Sequence, residues 1–397
     1  MSCAVSSKTN LAFEGGKMTR PVFSRRDFSR VVGQSLAFAA TAPYLHAAQA
    51  RHDQPAPEGA IHLNFNESPY GPSPKALEAL ATCGHTASRY PDGLYLKMRD
   101  ALAQIHAVQR DNIMLGCGST EILCVADEAF LGPGKNLVVA GTTFEAVIEY
   151  VKAAHGEVVK VPLTPDYRHD LAQMAAACTS KTGLVYICNP NNPTGTIVNH
   201  DDLAAFVNRV PPSALILVDE AYFHFADNPG YATSVDLIAA HPNLVVVRTF
   251  SKVYGMAGMR LGYAVGTKET LAQMVPYNLQ PFNGNAAVLA ATYASLFDQD
   301  YIKDCSKKMN ATREWLCDQL AKDGRKCIPS QANFVMVDVG TDVQPIVDQF
   351  RARKILVGRR FPSMANFLRV SVGTQPEVEQ FLAALREIAP AGRSQAG

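Results

Sequence analysis

From residue 112 onward, short unbroken apolar runs alternate with segments whose apolar residues recur every three or four positions. The runs at 113–115, 136–140, 158–163, 183–188, 215–219, 244–249 and 261–265 predict strands. They lack the polar alternation of a half-exposed strand, so both faces of the sheet are covered and the sheet is mostly parallel. The segments between them, such as 119–131, 143–154 and 201–210, predict amphipathic helices. The fold class is therefore α/β with a mostly parallel seven-stranded sheet. The texture changes near residue 285. A helical stretch over 285–323, interrupted around Gln299, is followed by strands at 333–339 and 367–372 and helices at 342–354 and 375–388. That block predicts a smaller α+β domain. Upstream, Pro69, Pro72 and Pro74 keep 61–74 extended, and helices follow at 75–81 and 94–107 with a turn at 89–93 between them. The expected organisation is a leader over 1–50, an arm with a segment of the smaller domain over 51–90, a large domain over 91–284 and a small domain over 285–397.

Composition adds a compartment. The chain has 397 residues, 47% of them hydrophobic, enough for a sizeable core. Its net charge is +1, but residues 1–50 hold six Lys/Arg against two Asp/Glu, leaving the remainder at −3. That body offers no basic stripe for nucleic acid. In the basic leader, Ser24-Arg25-Arg26-Asp27-Phe28 precedes an uncharged Ala-rich stretch at 31–42 and a small-x-small site, Ala48-Gln49-Ala50. This order, with paired arginines, reads as a twin-arginine export signal whose apolar part is too short to span a bilayer. The expected mature chain starts near Arg51 in the periplasm, free of the membrane after cleavage. Met18 provides a start that gives the signal an ordinary length. The nine cysteines form no CxxC pair and have no histidines at zinc spacing, so no metal site is expected. Most are expected to be buried thiols acting as small hydrophobes, without a disulfide framework.

The candidate chemistry gathers around Thr249-Phe250-Ser251-Lys252-Val253-Tyr254-Gly255, a loop between two apolar runs. A lysine there loses hydration, and its pKa falls toward that of a useful amine nucleophile. Ser251 beside it and Arg260 further on can hold an anion. A lysine that forms an imine next to phosphate-holding groups is what pyridoxal phosphate requires. Five further motifs sit at strand ends. Gly116-Cys117-Gly118-Ser119-Thr120 leads into a helix N-terminus able to face a phosphate. Phe144 can stack on a flat ring. Asn192, within Asn189-Pro190-Asn191-Asn192-Pro193-Thr194-Gly195, can donate to a phenolate oxygen. Asp219 ends an apolar strand, where a carboxylate is costly unless paired; a pyridinium nitrogen suits it, with Tyr222 in reach of the ring hydroxyl. Nucleotide-binding strands also end in Asp-Glu, but such proteins need a Gly-rich Lys-Ser/Thr phosphate loop, which is absent. Arg369 lies inside an apolar strand and needs an anionic partner. Arg359 and Arg360 lie nearby, either as a solvated pair or with one of them, Arg360 being the candidate, joining an anion pocket.

These motifs, in this order, resemble the class I/II aminotransferases of pyridoxal-phosphate fold type I, nearest the histidinol-phosphate aminotransferase branch, over almost the whole span from Asn64 to Ile388. The resemblance implies pyridoxal 5'-phosphate as cofactor, bound in the large domain. It makes Lys252 the Schiff-base lysine and proton shuttle, and Asp219 the partner of the pyridine nitrogen. It places Tyr222 and Asn192 on the ring oxygen and Phe144 on the ring face. Gly118, Ser119, Thr120, Ser251 and Arg260 hold the phosphate, assisted by Thr249. Tyr90 reaches the cofactor phosphate of a second subunit in a homodimer. Arg369 binds the acidic group of the substrate, and Tyr70 with the arm around Asn66 helps close the site. The substrates implied are a small amino donor, either an amino acid or an amino phosphate, and a 2-oxo acid acceptor. Three positions depart from the branch: Phe144 stands for the usual tyrosine, Thr120 for a common aspartate, and His224 for a frequent acidic residue. With the export signal, they leave the substrate open. The reaction class also stays open at this level, since a decarboxylase or an oxygen-using amine oxidase can share cofactor and fold.

Overall fold

A computed structural model describes residues 55–278 and 284–390, so the leader over 1–50 and its signal lie outside the described residues. The chain from Glu58 onward forms one compact unit. Along it run β1 (Ile61–Leu63), α1 (Pro74–Thr82), α2 (Asp92–Ile105), β2 (Ile113–Gly116), α3 (Gly118–Phe130), β3 (Asn136–Ala140), α4 (Ala146–Val151), β4 (Glu157–Val161), α5 (Leu171–Ala177) and β5 (Thr182–Cys188). Then come α6 (His200–Val207), β6 (Leu215–Asp219), β7 (Leu244–Thr249), β8 (Gly262–Val265), α7 (Lys268–Met274), α8 (Ala286–Leu296) and α9 (Gln299–Lys322). The last elements are β9 (Cys327–Ile328), β10 (Phe334–Asp338), α10 (Gln344–Ala352), β11 (Ile355–Val357), β12 (Phe367–Ser371) and α11 (Gln375–Ile388).

The large sheet has seven strands in the order β2-β8-β7-β6-β5-β3-β4. Only β8 runs against its neighbours, β2 and β7; β3, β4, β5, β6 and β7 pair in parallel. The strands read as continuous apolar runs because each face meets its own core. Val185, Ile187, Ile216, Val218 and Val246 belong to one cluster, and Leu184, Tyr186, Leu215, Leu217 and Val247 to the other. The C-terminal ends of β2, β3, β5, β6 and β7 therefore share one edge, the usual place for a ligand in such a sheet.

The smaller part holds an antiparallel β12-β10-β9 sheet and a parallel β1–β11 pair. The extended arm thus contributes a strand to it, in register with residues almost 300 positions later. The expected boundary at 284 falls ahead of helices that still pack on the large core, since Leu289, Leu296, Ile302 and Met309 join the same cluster as Val218. Helix α9 passes from one core to the other between Met309 and Leu316. The helix expected over 143–154 is shorter and begins at Ala146, because the Thr143 hydroxyl donates instead to Asn191 Oδ1 at 2.7 Å. The cysteines also correct the expectation: of the eight described, only Cys188 and Cys305 are buried, and Cys117 is exposed.

Candidate active site

Lys252 follows β7 and sits at that shared edge. Its ammonium donates to the Phe65 carbonyl at 3.0 Å and lies 5.7 Å from the Tyr222 ring centre. Burial, and then the positive charge of Arg369, push its pKa down to about 8. About a tenth of the amine is therefore neutral at pH 7, far more than for an ordinary lysine, as a nucleophile needs.

Asp219 closes β6, one strand over. Burial raises its carboxyl to about 6, against the opposing pull of the Tyr186 hydrogen bond. That shift corresponds to about 3 kcal/mol of disfavoured charge. Complete burial of Leu215, Ile216, Leu217 and Val218 on the same strand, at about 1.5–3 kcal/mol each, offsets it. Tyr186 donates its hydroxyl to Asp219 Oδ2 at 2.9 Å, and the Ala221 amide donates to Oδ1 at 3.0 Å. Tyr186 was absent from the residues singled out in the sequence. The signal for it lies in the sheet register: Tyr186 pairs with Leu217 and Cys188 with Asp219, so a long side chain at 186 reaches the diagonal carboxylate.

The arm supplies the next layer. Asn66, in a left-handed conformation at φ 56°, donates from Nδ2 to the Tyr222 hydroxyl at 3.0 Å and is held by Ser371 on β12. Gly255 lies against the backbone of Gly71, so closely that a Cβ there would strike the Gly71 carbonyl. The Tyr70 carbonyl accepts from the Tyr301 hydroxyl at 2.9 Å. Arg369 on β12 donates to Asn192 Oδ1 at 2.6 Å and to the Asn64 carbonyl at 2.7 Å. Its Nε is buried without a partner, between the rings of Phe334 and Phe361. Burial lowers its pKa to about 10. A buried guanidinium with a spare donor is a receptor for an anion.

The phosphate corner forms at the start of α3. Gly118 has φ 73°, and a Cβ on it would collide with the Arg260 guanidinium. Arg260, itself left-handed at φ 57°, donates to Ser251 Oγ at 3.4 Å, and Ser251 is tied to Thr249 at 3.0 Å. Backbone N–H groups at the α3 N-terminus, including Ser119 and Thr120, and a guanidinium thus meet in one corner that only glycine permits. Such a corner, beside a depressed lysine and a strand-end carboxylate, fits pyridoxal phosphate.

Phe144 is half-buried on the loop after β3, which Asn191 ties down through Thr142 and Thr143. Tyr90 is 84% exposed and outside the cluster. The Arg360 guanidinium is engaged by Asp342 at 2.7 Å on the small domain. Its neighbour Arg359 instead pairs with Glu145 and stacks on Phe361, the ring that also flanks Arg369.

The profile of aminotransferase class I and II matches residues 58–385. A histidinol-phosphate aminotransferase of Moorella thermoacetica is 39% identical over 331 residues, spanning 83% of this chain and 85% of that protein. An aromatic amino acid aminotransferase of Cutibacterium acnes is 36% identical over 289 residues, 73% of this chain and 82% of its own. Among solved structures, the histidinol-phosphate aminotransferase of Sinorhizobium meliloti in complex with pyridoxal-5'-phosphate superposes with a TM-score of 0.79 at 30% identity, covering 87% of this chain and 94% of that one. The fold is that of the fold type I enzymes, and the cofactor of the family is pyridoxal phosphate. With these matches and the corner built by Gly118 and Arg260, the chain belongs to the class I and II aminotransferases, enzymes that use pyridoxal phosphate.

Proposed function

We propose that the chain moves an amino group from an amino acid or amino phosphate to a 2-oxo acid, with Lys252 as the residue bonded to the cofactor. The observation that carries this reading is the Lys252 amine on the loop after β7, at the strand edge that also holds Asp219 and the Gly118–Arg260 corner, with burial lowering its pKa to about 8. When bound, pyridoxal phosphate supplies an aldehyde for the amino group and an electron-withdrawing ring for the charge left at the substrate Cα. Asp219 keeps the ring nitrogen protonated. Asn192 and Tyr222 orient the ring oxygen, and Phe144 covers the ring face. The α3 N-terminus, Ser251 and Arg260 hold the phosphate. Arg369 orients the acidic end of the substrate, with Asn192 and Asn64 fixing its plane. Lys252 would serve as the base that takes the proton from the substrate Cα and as the acid that gives one back. Asn66 and Tyr70, on the arm, exclude water.

The test is direct. Borohydride treatment of the loaded protein followed by peptide mapping should place the label on Lys252. Lys252→Ala should lose the visible absorbance and the activity while remaining folded. A label on another amine, or turnover by the alanine variant, would refute the assignment.

Two further features belong to the same reading. The high exposure of Tyr90 supports a homodimer in which it reaches the other subunit's phosphate corner. The paired Arg25-Arg26 ahead of an apolar stretch supports export to the periplasm in folded form. An exported enzyme stands apart from cytoplasmic histidine synthesis, which favours a donor other than histidinol phosphate.

A further inference from the structure

Cys317 and Cys327 are ten residues apart in sequence and come together where α9 packs on β9. Both are partly buried against the same small-domain core. Their thiols are close enough to perturb each other, and both are free. The backbone between them is already folded back. The Gly324 amide bonds to the Ala321 carbonyl and Arg325 to Leu320, each at 2.9 Å, and Asp338 anchors Lys326 at 2.9 Å. On β9, Cys327 is in register with Val337, one strand from the core of the small domain. Neither cysteine has a part in the amino-transfer site.

We propose that Cys317 and Cys327 are a disulfide-forming pair, which an oxidant of the disulfide class converts into a covalent staple between α9 and β9. The thiolate of one cysteine attacks an external disulfide, giving a mixed disulfide and one small thiolate. The second cysteine loses its proton to solvent, attacks the first sulfur and releases the second small thiol. Two protein S–H groups and one external S–S bond become one protein S–S bond and two external thiols, with two electrons passing to the oxidant. Access is available on the β9 side. Cys327 lines a surface cavity of about 360 Å³ together with Asp166, Arg168, Asn228 and Gln331. The contact between the two thiols, helped by Arg313, holds Cys317 below its ordinary value and, with burial, raises Cys327, so Cys317 is the thiol that attacks first. The staple closes a short loop in a helix–strand turn that is already formed, so it removes unfolded-state freedom.

The experiment uses the purified full chain. It is incubated with oxidised glutathione at mildly alkaline pH, alkylated in denaturant and digested without reductant. The expected product is a peptide pair joined between Cys317 and Cys327, lighter by two hydrogens than the reduced pair. Its apparent melting temperature should rise by a few degrees over the reduced protein, and that rise should vanish in Cys327→Ser. Separate glutathione adducts on the two cysteines, alkylation of both, or cross-links to other cysteines would overturn the proposal. The mapping needs no variant, so a misfolded serine variant leaves the decision intact. The oxidant is supplied in the tube, so the outcome is independent of where the protein resides and of the transamination reading.

Discussion

Replacing Tyr186 with phenylalanine removes one hydroxyl and keeps the ring that fills the sheet core. The lost bond is the 2.9 Å donation to Asp219 Oδ2. A hydrogen bond to a charged group contributes about 1.5–3 kcal/mol, or about 1–2 pH units. The bond favours the ionised carboxylate, so its loss raises the pKa. The wild-type value of about 6 should move to about 7–8 in the variant. Pairing with the cofactor's pyridine nitrogen needs the carboxylate ionised. The apparent affinity of the cofactor-free protein for pyridoxal phosphate therefore scales with the ionised fraction.

The assay is a titration of cofactor-free wild type and Tyr186→Phe with pyridoxal phosphate across pH, read by visible absorbance. The informative quantity is the ratio of the two dissociation constants, because Lys252 titrates in both proteins and cancels. Well below pH 6 the variant should bind on the order of 10- to 100-fold more weakly. The ratio should shrink as pH rises through the variant's pKa and approach one near pH 9. Asp219→Asn should bind weakly at every pH, with no such recovery. A Tyr186→Phe ratio that is the same at acid and alkaline pH would mean that the hydroxyl does not act through the charge of Asp219, and the argument would fail.

Arg369→Gln should leave the cofactor bound but lower kcat/KM for carboxylate-bearing donors by roughly 30-fold to several thousand-fold, since truncating a buried charged contact costs about 2–5 kcal/mol. It should also raise the Lys252 pKa, because Arg369 is the second cause of its depression; unchanged steady-state kinetics would remove Arg369 from the substrate site. Mixed dimers of Lys252→Ala and Tyr90→Ala should exceed the activity of either parent, since one of their two sites regains both groups; simple averaging would count against a shared site. For export, Arg25→Lys with Arg26→Lys should retain the protein in the cytoplasm of a host with the twin-arginine route, and unchanged periplasmic yield would contradict the signal.

The large sheet was legible because its strands are buried on both faces, and continuous runs such as Leu215–Asp219 have no other reading of that length. The gathering of the candidate residues at strand ends was legible for a related reason. The glycines, Asn-Pro steps, Asp219 and Lys252 break the apolar pattern where strands end, so chemistry and punctuation coincide. What failed was shorter or longer in range than the pattern. β1, β9 and β11 have two or three residues each, too few for a period to show. Choosing between Arg359 and Arg360 depends on the path of the chain after Val357, which no local rule sets. Tyr186 looked like one more core residue, because its partner is defined only by register across strands. Cys317 and Cys327 looked like isolated thiols, since their meeting depends on how a helix end folds back on a two-residue strand.

The three departures from the histidinol-phosphate branch carry unequal weight once they are placed in the fold. His224 lies edge-on to Tyr254 and Phe223, with ring centres 5.3 and 5.4 Å away, and its backbone carbonyl accepts from Ser306. Burial, then the charge of Arg248, drives its pKa to about 3, so the ring is a neutral packing group at working pH. It supports the loop of Lys252 from behind through Tyr254, whose ring lies tilted against Phe250 with centres 4.8 Å apart. Thr120 lies in the first turn of α3, at the phosphate corner, and so concerns cofactor grip. Phe144 is the remaining departure. It follows β3 at the shared strand edge, on the loop that meets the small domain through the Thr142–Ser363 hydrogen bond at 2.9 Å and the Arg359–Glu145 ion pair. A tyrosine there can hydrogen-bond and a phenylalanine can only stack, so on the proposed reading selection among donors would rest on Phe144 together with Arg369. Phe144→Tyr is therefore the substitution that should alter donor preference without altering the cofactor's spectrum, and a donor profile left unchanged would move the source of specificity to the arm around Asn66 and Tyr70.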